Sequence, residues 1–155
     1  MKTFIFGALA TACIATPPAV LASLGGDVAS VESDRVQMKA AAVRTSQSAL
    51  YTVHEIQTPS GTAVREFANA AGTVFAVTWK GPFMPDLRQT LGRYFQTYQA
   101  APRAKRYGHS RDILELPGLV VHSTGRMRAF RGNAYVPQLV PAGVSIDQLD
   151  AQSFP

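Results

Sequence analysis

Cysteine is nearly missing from this sequence: Cys13 is the only one in 155 residues. No intramolecular disulfide can therefore form, and a cysteine nucleophile in the body of the chain is excluded. Charge is sparse too, at 16% of residues, with 46% apolar and 9% aromatic. That balance excludes broadly disordered, coiled-coil and collagen-like chains, which need far more biased compositions. No apolar run approaches the roughly 20 residues that a membrane-spanning helix needs. There is no internal repeat, no low-complexity tract, no P-loop, no dinucleotide fingerprint and no Gly-x-Ser-x-Gly elbow. What is left fits one globular domain, large enough to bury roughly two-thirds of its unfolded surface.

The N-terminus carries an export signal. Lys2 supplies a positive start, residues 3–14 form a short apolar stretch, and Pro17-Pro18 break it. Val20-Leu21-Ala22 places small or medium side chains at a cleavage site, so residues 1–22 read as a secretory signal peptide cut after Ala22. The body of the chain is then 23–155, exported by a route that ends in the periplasm or outside the cell. Cys13 offers a rival reading as a lipidation site, but Leu9 stands one position too far upstream of it.

The net charge of +5 becomes +4 once Lys2 is removed, and its distribution is uneven. Residues 23–87 hold five bases against six acids, and residues 132–155 hold two acids and no base. Residues 88–131 hold nine bases against Asp112 and Glu115. The positive excess belongs to one segment.

Periodicity predicts a helix over 28–42, a loop over 45–48, and then three strands over 50–57, 62–68 and 73–80. Thr58-Pro59-Ser60-Gly61 and Asn69-Ala70-Ala71-Gly72 are the turns between them. Leu87, Leu91, Tyr94, Phe95 and Tyr98 form one apolar stripe on a helix over 85–101, with Pro85 at its first position. Residues 103–112 read as a basic loop. Strands over 118–124 and 126–132 form a hairpin around Thr124-Gly125, with an edge strand over 133–140 and a short turn near 146–149. The expected architecture is α+β: an antiparallel meander plus a second hairpin, covered by the 85–101 helix.

Four groups of residues could carry chemistry. His54 and His122, both on expected strands, could bind a divalent metal or supply a general base if their strands pair, with Glu55 or Glu66 nearby. Thr58 stands where a zinc-protease motif begun by His54-Glu55 would need its second histidine. Adjacent strand residues also face opposite ways, so His54 and Glu55 cannot share one site without a bulge. The commoner fate of such histidines is a hydrogen-bonded sheet residue. His109, Ser110 and Asp112 are close in sequence, but triads are assembled by tertiary geometry, and a loop gives them no rigid backing. Trp79, Tyr94, Phe95 and Tyr98 could line a ligand pocket, although their spacing is that of core residues. The basic group has the larger claim. Arg103, Lys105, Arg106 and Arg111 cluster on the expected loop, and Arg126, Arg128 and Arg131 lie on one expected strand, with Arg126 and Arg128 on the same face. Such a patch suits anionic lipid, lipopolysaccharide phosphate or an acidic protein. No module for reading nucleic acid accompanies it, and nothing implies a cofactor.

Several longer stretches carry a family resemblance. They are Leu24-Gly25-Gly26, Tyr51-Thr52-Val53-His54-Glu55, and the run from Gly61 to Phe67. Others are the run from Gly72 to Pro82, Pro85-Asp86-Leu87, Leu91 to Phe95, Arg126 to Phe130, and Ala134 to Pro137. With these, the chain resembles a family of uncharacterised proteobacterial exported proteins, domain-of-unknown-function family 2844. The resemblance implies export and a single domain. It brings no activity, substrate or catalytic residue.

Three functions compete on the sequence alone. The first is a non-enzymatic envelope binding or accessory protein with a basic surface. The second is a small periplasmic metal-binding protein or enzyme centred on His54 and His122. The third is a structural subunit that assembles through a sheet edge.

Overall fold

Runs rich in β-branched and aromatic residues dominate the chain from Tyr51 onward, and they form one sheet. The computed structural model describes residues 23–28, 36, 38–39, 43–102 and 111–153. The strands are β1 (Val43–Gln47), β2 (Tyr51–Gln57), β3 (Ala63–Asn69), β4 (Val74–Gly81), β5 (Arg111–Leu116), β6 (Leu119–Arg126) and β7 (Ala129–Tyr135). They lie in the order β1-β2-β3-β4-β7-β6-β5, every pair antiparallel. Between β4 and β5 run α1 (Leu87–Leu91), a 3-10 turn (Gly92–Tyr94) and α2 (Phe95–Ala100); α3 (Ile146–Ser153) ends the described chain. This is the expected α+β class, with the second hairpin extending the meander.

Each face of the sheet has its own apolar cover. On the first face Ile56, Val64, Val77, Trp79, Val121 and Ala134 pack with Leu24, Leu91 and the partly buried stripe of Leu87, Tyr94, Phe95 and Tyr98. On the second, Phe67, Phe75 and Ala76 pack under Leu149, with Ile146, Val144 and Leu139 around it. Tyr51 meets the rings of Phe67 and Phe75 edge-on at 5.8 and 6.2 Å. A bulge supplies part of this second core. Phe67 pairs with Ala76 and Ala68 with Val74, so Phe75 is the extra residue. Phe75 and Ala76 can then both join the second core while Val74 and Val77 join the first.

Several expectations are corrected. Residues 45–47, expected in a loop, belong to β1, a polar edge strand whose pairing with β2 outweighs its weak apolar pattern. The 85–101 helix is two short helices around a 3-10 turn. Gly92 has φ 49°, and a side chain there would collide with Ser23. Asp86 caps α1 by accepting from the Arg88 N–H at 2.9 Å, so Pro85 stands just before the cap. Arg111 and Asp112 are in β5, not in a loop. The hairpin turn is Met127-Arg128, three residues beyond the expected one, because Gly125 pairs with Phe130 inside the ladder and Arg126 with Ala129. Residues 133–135 finish β7, a central strand, before Pro137 opens a 3-10 turn. The 146–149 turn is a full helix, α3. The signal peptide over 1–22 lies outside the described residues, as does most of the expected 28–42 helix.

Candidate functional site

The strand order separates the two histidines. β2 and β6 have β3, β4 and β7 between them, which puts His54 and His122 roughly 19 Å apart at the ordinary strand spacing. They also face opposite ways. His54 stands opposite Glu66, in register with Val77, Ala134 and Val121 of the first core. His122 stands opposite Asn133 and Ile113 on the second face, and its Nε2 lies 3.2 Å from the Glu115 carboxylate near the surface. His54 Nδ1 is hydrogen-bonded to Thr45 Oγ1 at 3.1 Å; its Nε2 is buried with no hydrogen-bond partner. Burial lowers its pKa from the ordinary 6.5. No group of three His, Cys, Asp or Glu residues suited to a metal ion occurs among the described residues.

Of His109, Ser110 and Asp112, only Asp112 lies among the described residues. It accepts a hydrogen bond from the Tyr98 hydroxyl at 2.6 Å and so ties α2 to β5. Trp79 is fully buried, and Tyr94, Phe95 and Tyr98 pack on the first core, as their spacing predicts.

The second face is different, because the cover from α3 does not reach all of it. One level of the register reads Arg44, Glu55, Arg65, Thr78, Asn133 and His122 across six strands. At its β1 end lies an open concavity of about 530 Å³, with Arg44, Ser46, Glu55 and Arg65 over Val53 and Phe67. Arg65 donates from Nε to Glu55 Oε2 at 2.6 Å, so two of the lining residues are paired with each other.

The next level reads Ala63, Lys80, Arg131 and Thr124, so two cations stand directly opposite one another. Like charges directly opposite one another on a sheet do not attract, so this juxtaposition concentrates positive charge at one place. Arg126 follows two residues after Thr124 on the same face, opposite Ala129. Arg128 takes the left-handed position of the turn at φ 61°. The expected pairing of Arg126 with Arg128 on one strand face is therefore replaced. Arg126 shares its face with Arg131 and Lys80, and Arg128 stands at the tip. All four are exposed. β4 ends at Gly81, opposite Phe130, so the hairpin projects past it by two residues and the turn. β5 begins at this same end, where Arg111 pairs with Thr124. Arg103, Lys105 and Arg106 lie outside the described residues, as do His109 and Ser110.

Apolar groups also stand at this end of the sheet. Met127, at the tip, is 94% exposed, and Phe83 and Met84, just after β4, are 53% and 39% exposed. Sequence reasoning missed Lys80 and Met127. Lys80 meets Arg131 only through a pairing between distant strands. Met127 falls inside the strand expected over 126–132, so nothing local marks it as a turn residue.

A family model described as Protein of unknown function (DUF2844) matches residues 20–149. The chain belongs to this family. The family's matched span contains all seven strands, α1, α2 and the whole cationic rim, and it ends within α3 at Leu149. No curated protein and no solved structure matches the chain.

Proposed function

We propose that this DUF2844 chain is an exported, non-enzymatic binding or accessory protein of the proteobacterial envelope. In this reading it engages an anionic component through the rim of Lys80, Arg126, Arg128 and Arg131. The observation that carries it is the Lys80–Arg131 pair. Two cations face each other across β4 and β7, flanked by two more arginines, and their other cross-strand neighbours are Ala63, Thr124 and Ala129. A bound anion gains charge-assisted hydrogen bonds from the guanidinium groups. The export half rests on the signal-peptide pattern of residues 1–22, with the periplasm as the destination.

The test is binding of inorganic polyphosphate by the purified protein and by an Arg126→Ala/Arg128→Ala variant. Both side chains are exposed, so the fold should survive the change. The variant should bind roughly tenfold or more weakly, and its affinity should fall less steeply with salt. Equal affinity and an equal salt slope would remove the rim from the function. The mass of the protein recovered from the envelope fraction checks cleavage after Ala22.

A further inference from the structure

Resting on that reading, we infer that the rim's partner is the surface of an anionic lipid bilayer, with Met127 entering the headgroup region between the arginines. A soluble polyanion would use the cations and leave Met127 in water. An acidic protein would have to supply an apolar pocket shaped to the tip. A bilayer takes both parts at once, because its phosphates meet the arginines while the apolar side chain passes below them.

The geometry suits a shallow contact. Met127 is 94% exposed at the end of a two-residue turn, with Arg126 before it and Arg128 after it. The pairs Gly125–Phe130 and Arg126–Ala129 close the ladder just behind the tip. Arg131 and Lys80 stand one level further back on the same face. Phe83 lies at the same end of the sheet. Its backbone is fixed, since the buried Thr62 hydroxyl donates to the Phe83 carbonyl at 2.8 Å, and its ring is left exposed. A fixed backbone keeps the entropy cost of presenting these apolar groups low.

The experiment is co-sedimentation of the purified protein with vesicles of equal parts phosphatidylglycerol and phosphatidylcholine. Pure phosphatidylcholine vesicles and soluble polyphosphate are measured alongside. The protein should sediment with the anionic vesicles and not with the zwitterionic ones. Met127→Ser should lower vesicle affinity roughly tenfold, the effect of withdrawing a partly inserted methionine, and leave polyphosphate binding unchanged. Replacing either Arg126 or Arg128 by Ala should weaken vesicle binding roughly fivefold. Met127→Trp should show a blue shift of its fluorescence on the anionic vesicles, over a constant signal from the buried Trp79. An unchanged melting temperature for Met127→Ser separates the effect from misfolding. Polyphosphate binding without vesicle binding would overturn the lipid assignment while leaving the anion-binding rim intact. The same follows if Met127→Ser binds vesicles as tightly as the unaltered protein. Equal binding to both vesicle types would overturn the part given to the arginines. Binding to neither vesicle nor polyphosphate would overturn the rim reading as well.

Discussion

Gly132 lies in the middle of β7, opposite Trp79 on one side and Ser123 on the other. A Cβ at this position would lie 2.5 Å from Trp79 Cζ2 and 2.5 Å from the His122 carbonyl oxygen. Two effects of opposite sign decide the outcome of Gly132→Ala. Restricting the unfolded chain favours alanine by about 0.4–1 kcal/mol. Forcing a methyl into a filled core costs about 1–3 kcal/mol. Here the steric cost wins, because one obstacle is backbone and the other is the ring of a fully buried tryptophan in the first core. The expected net loss is about 1–2 kcal/mol, or several degrees in melting temperature for a domain of this size. Gly118→Ala, in the β5–β6 turn, is the control. A Cβ there meets nothing within 4 Å, so the entropy gain acts alone and the variant should be neutral or slightly more stable. Urea unfolding of both variants measures the contrast. The clash with the indole also predicts coupling: Trp79→Phe should remove part of the Gly132→Ala loss in a double-mutant cycle, and the carbonyl contact should keep the rest. A Gly132→Ala protein as stable as Gly118→Ala would refute the packing argument for this end of the first core.

Two further outcomes follow from the titratable groups. Burial lowers the pKa of His54, so the folded protein binds fewer protons than the unfolded chain between that lowered value and about 6.5. Stability should therefore be complete above about pH 6.5 and fall as pH drops through the folded value; His54→Gln should flatten that part of the urea-unfolding pH profile. Arg65 and Glu55 are both about three-quarters buried, with side-chain exposures of 23% and 25%, yet they face an open concavity. A double-mutant cycle through Arg65→Met and Glu55→Gln should give a coupling of no more than about 1 kcal/mol, shrinking with added salt. A larger coupling that salt does not affect would mean that the pair is shielded from water.

The parts of the fold that showed in the sequence are those where local chemistry and tertiary context agree. β2, β3 and β4 have β-branched and aromatic runs closed by turn residues, and the structure places all three within a residue or two of expectation. The stripe from Leu87 to Tyr98 showed for the same reason. β1 did not, because Val43 to Gln47 is almost wholly polar and becomes a strand only by pairing with β2. The helix break at Gly92 was hidden because the side chain that packs against this glycine, Ser23, comes from far away in the chain. α3 has a weak apolar pattern, and it is held by Leu149 docking against Phe67, Phe75 and Ala76.

The rim was half legible, and the missing half turns on one register choice. Thr124-Gly125 has better turn chemistry than Met127-Arg128, whose second residue must adopt the left-handed conformation that glycine takes at less cost. Local preference therefore pointed to the earlier turn. Tertiary packing chose the later one, because it sets Val121 beside Ala134 in the first core and lets Phe130 cover Gly125. Moving the turn by three residues carries Arg126 from the second strand of the hairpin to the first, and so from one face of the sheet to the other, while residues 129–132 keep their facing. In the observed register Arg131 comes onto the face of Arg126 and meets Lys80, and Met127 leaves the sheet altogether. The concentration of positive charge could be counted from the sequence. The arrangement that lets it meet a charged surface with an apolar side chain at its tip is a product of the core.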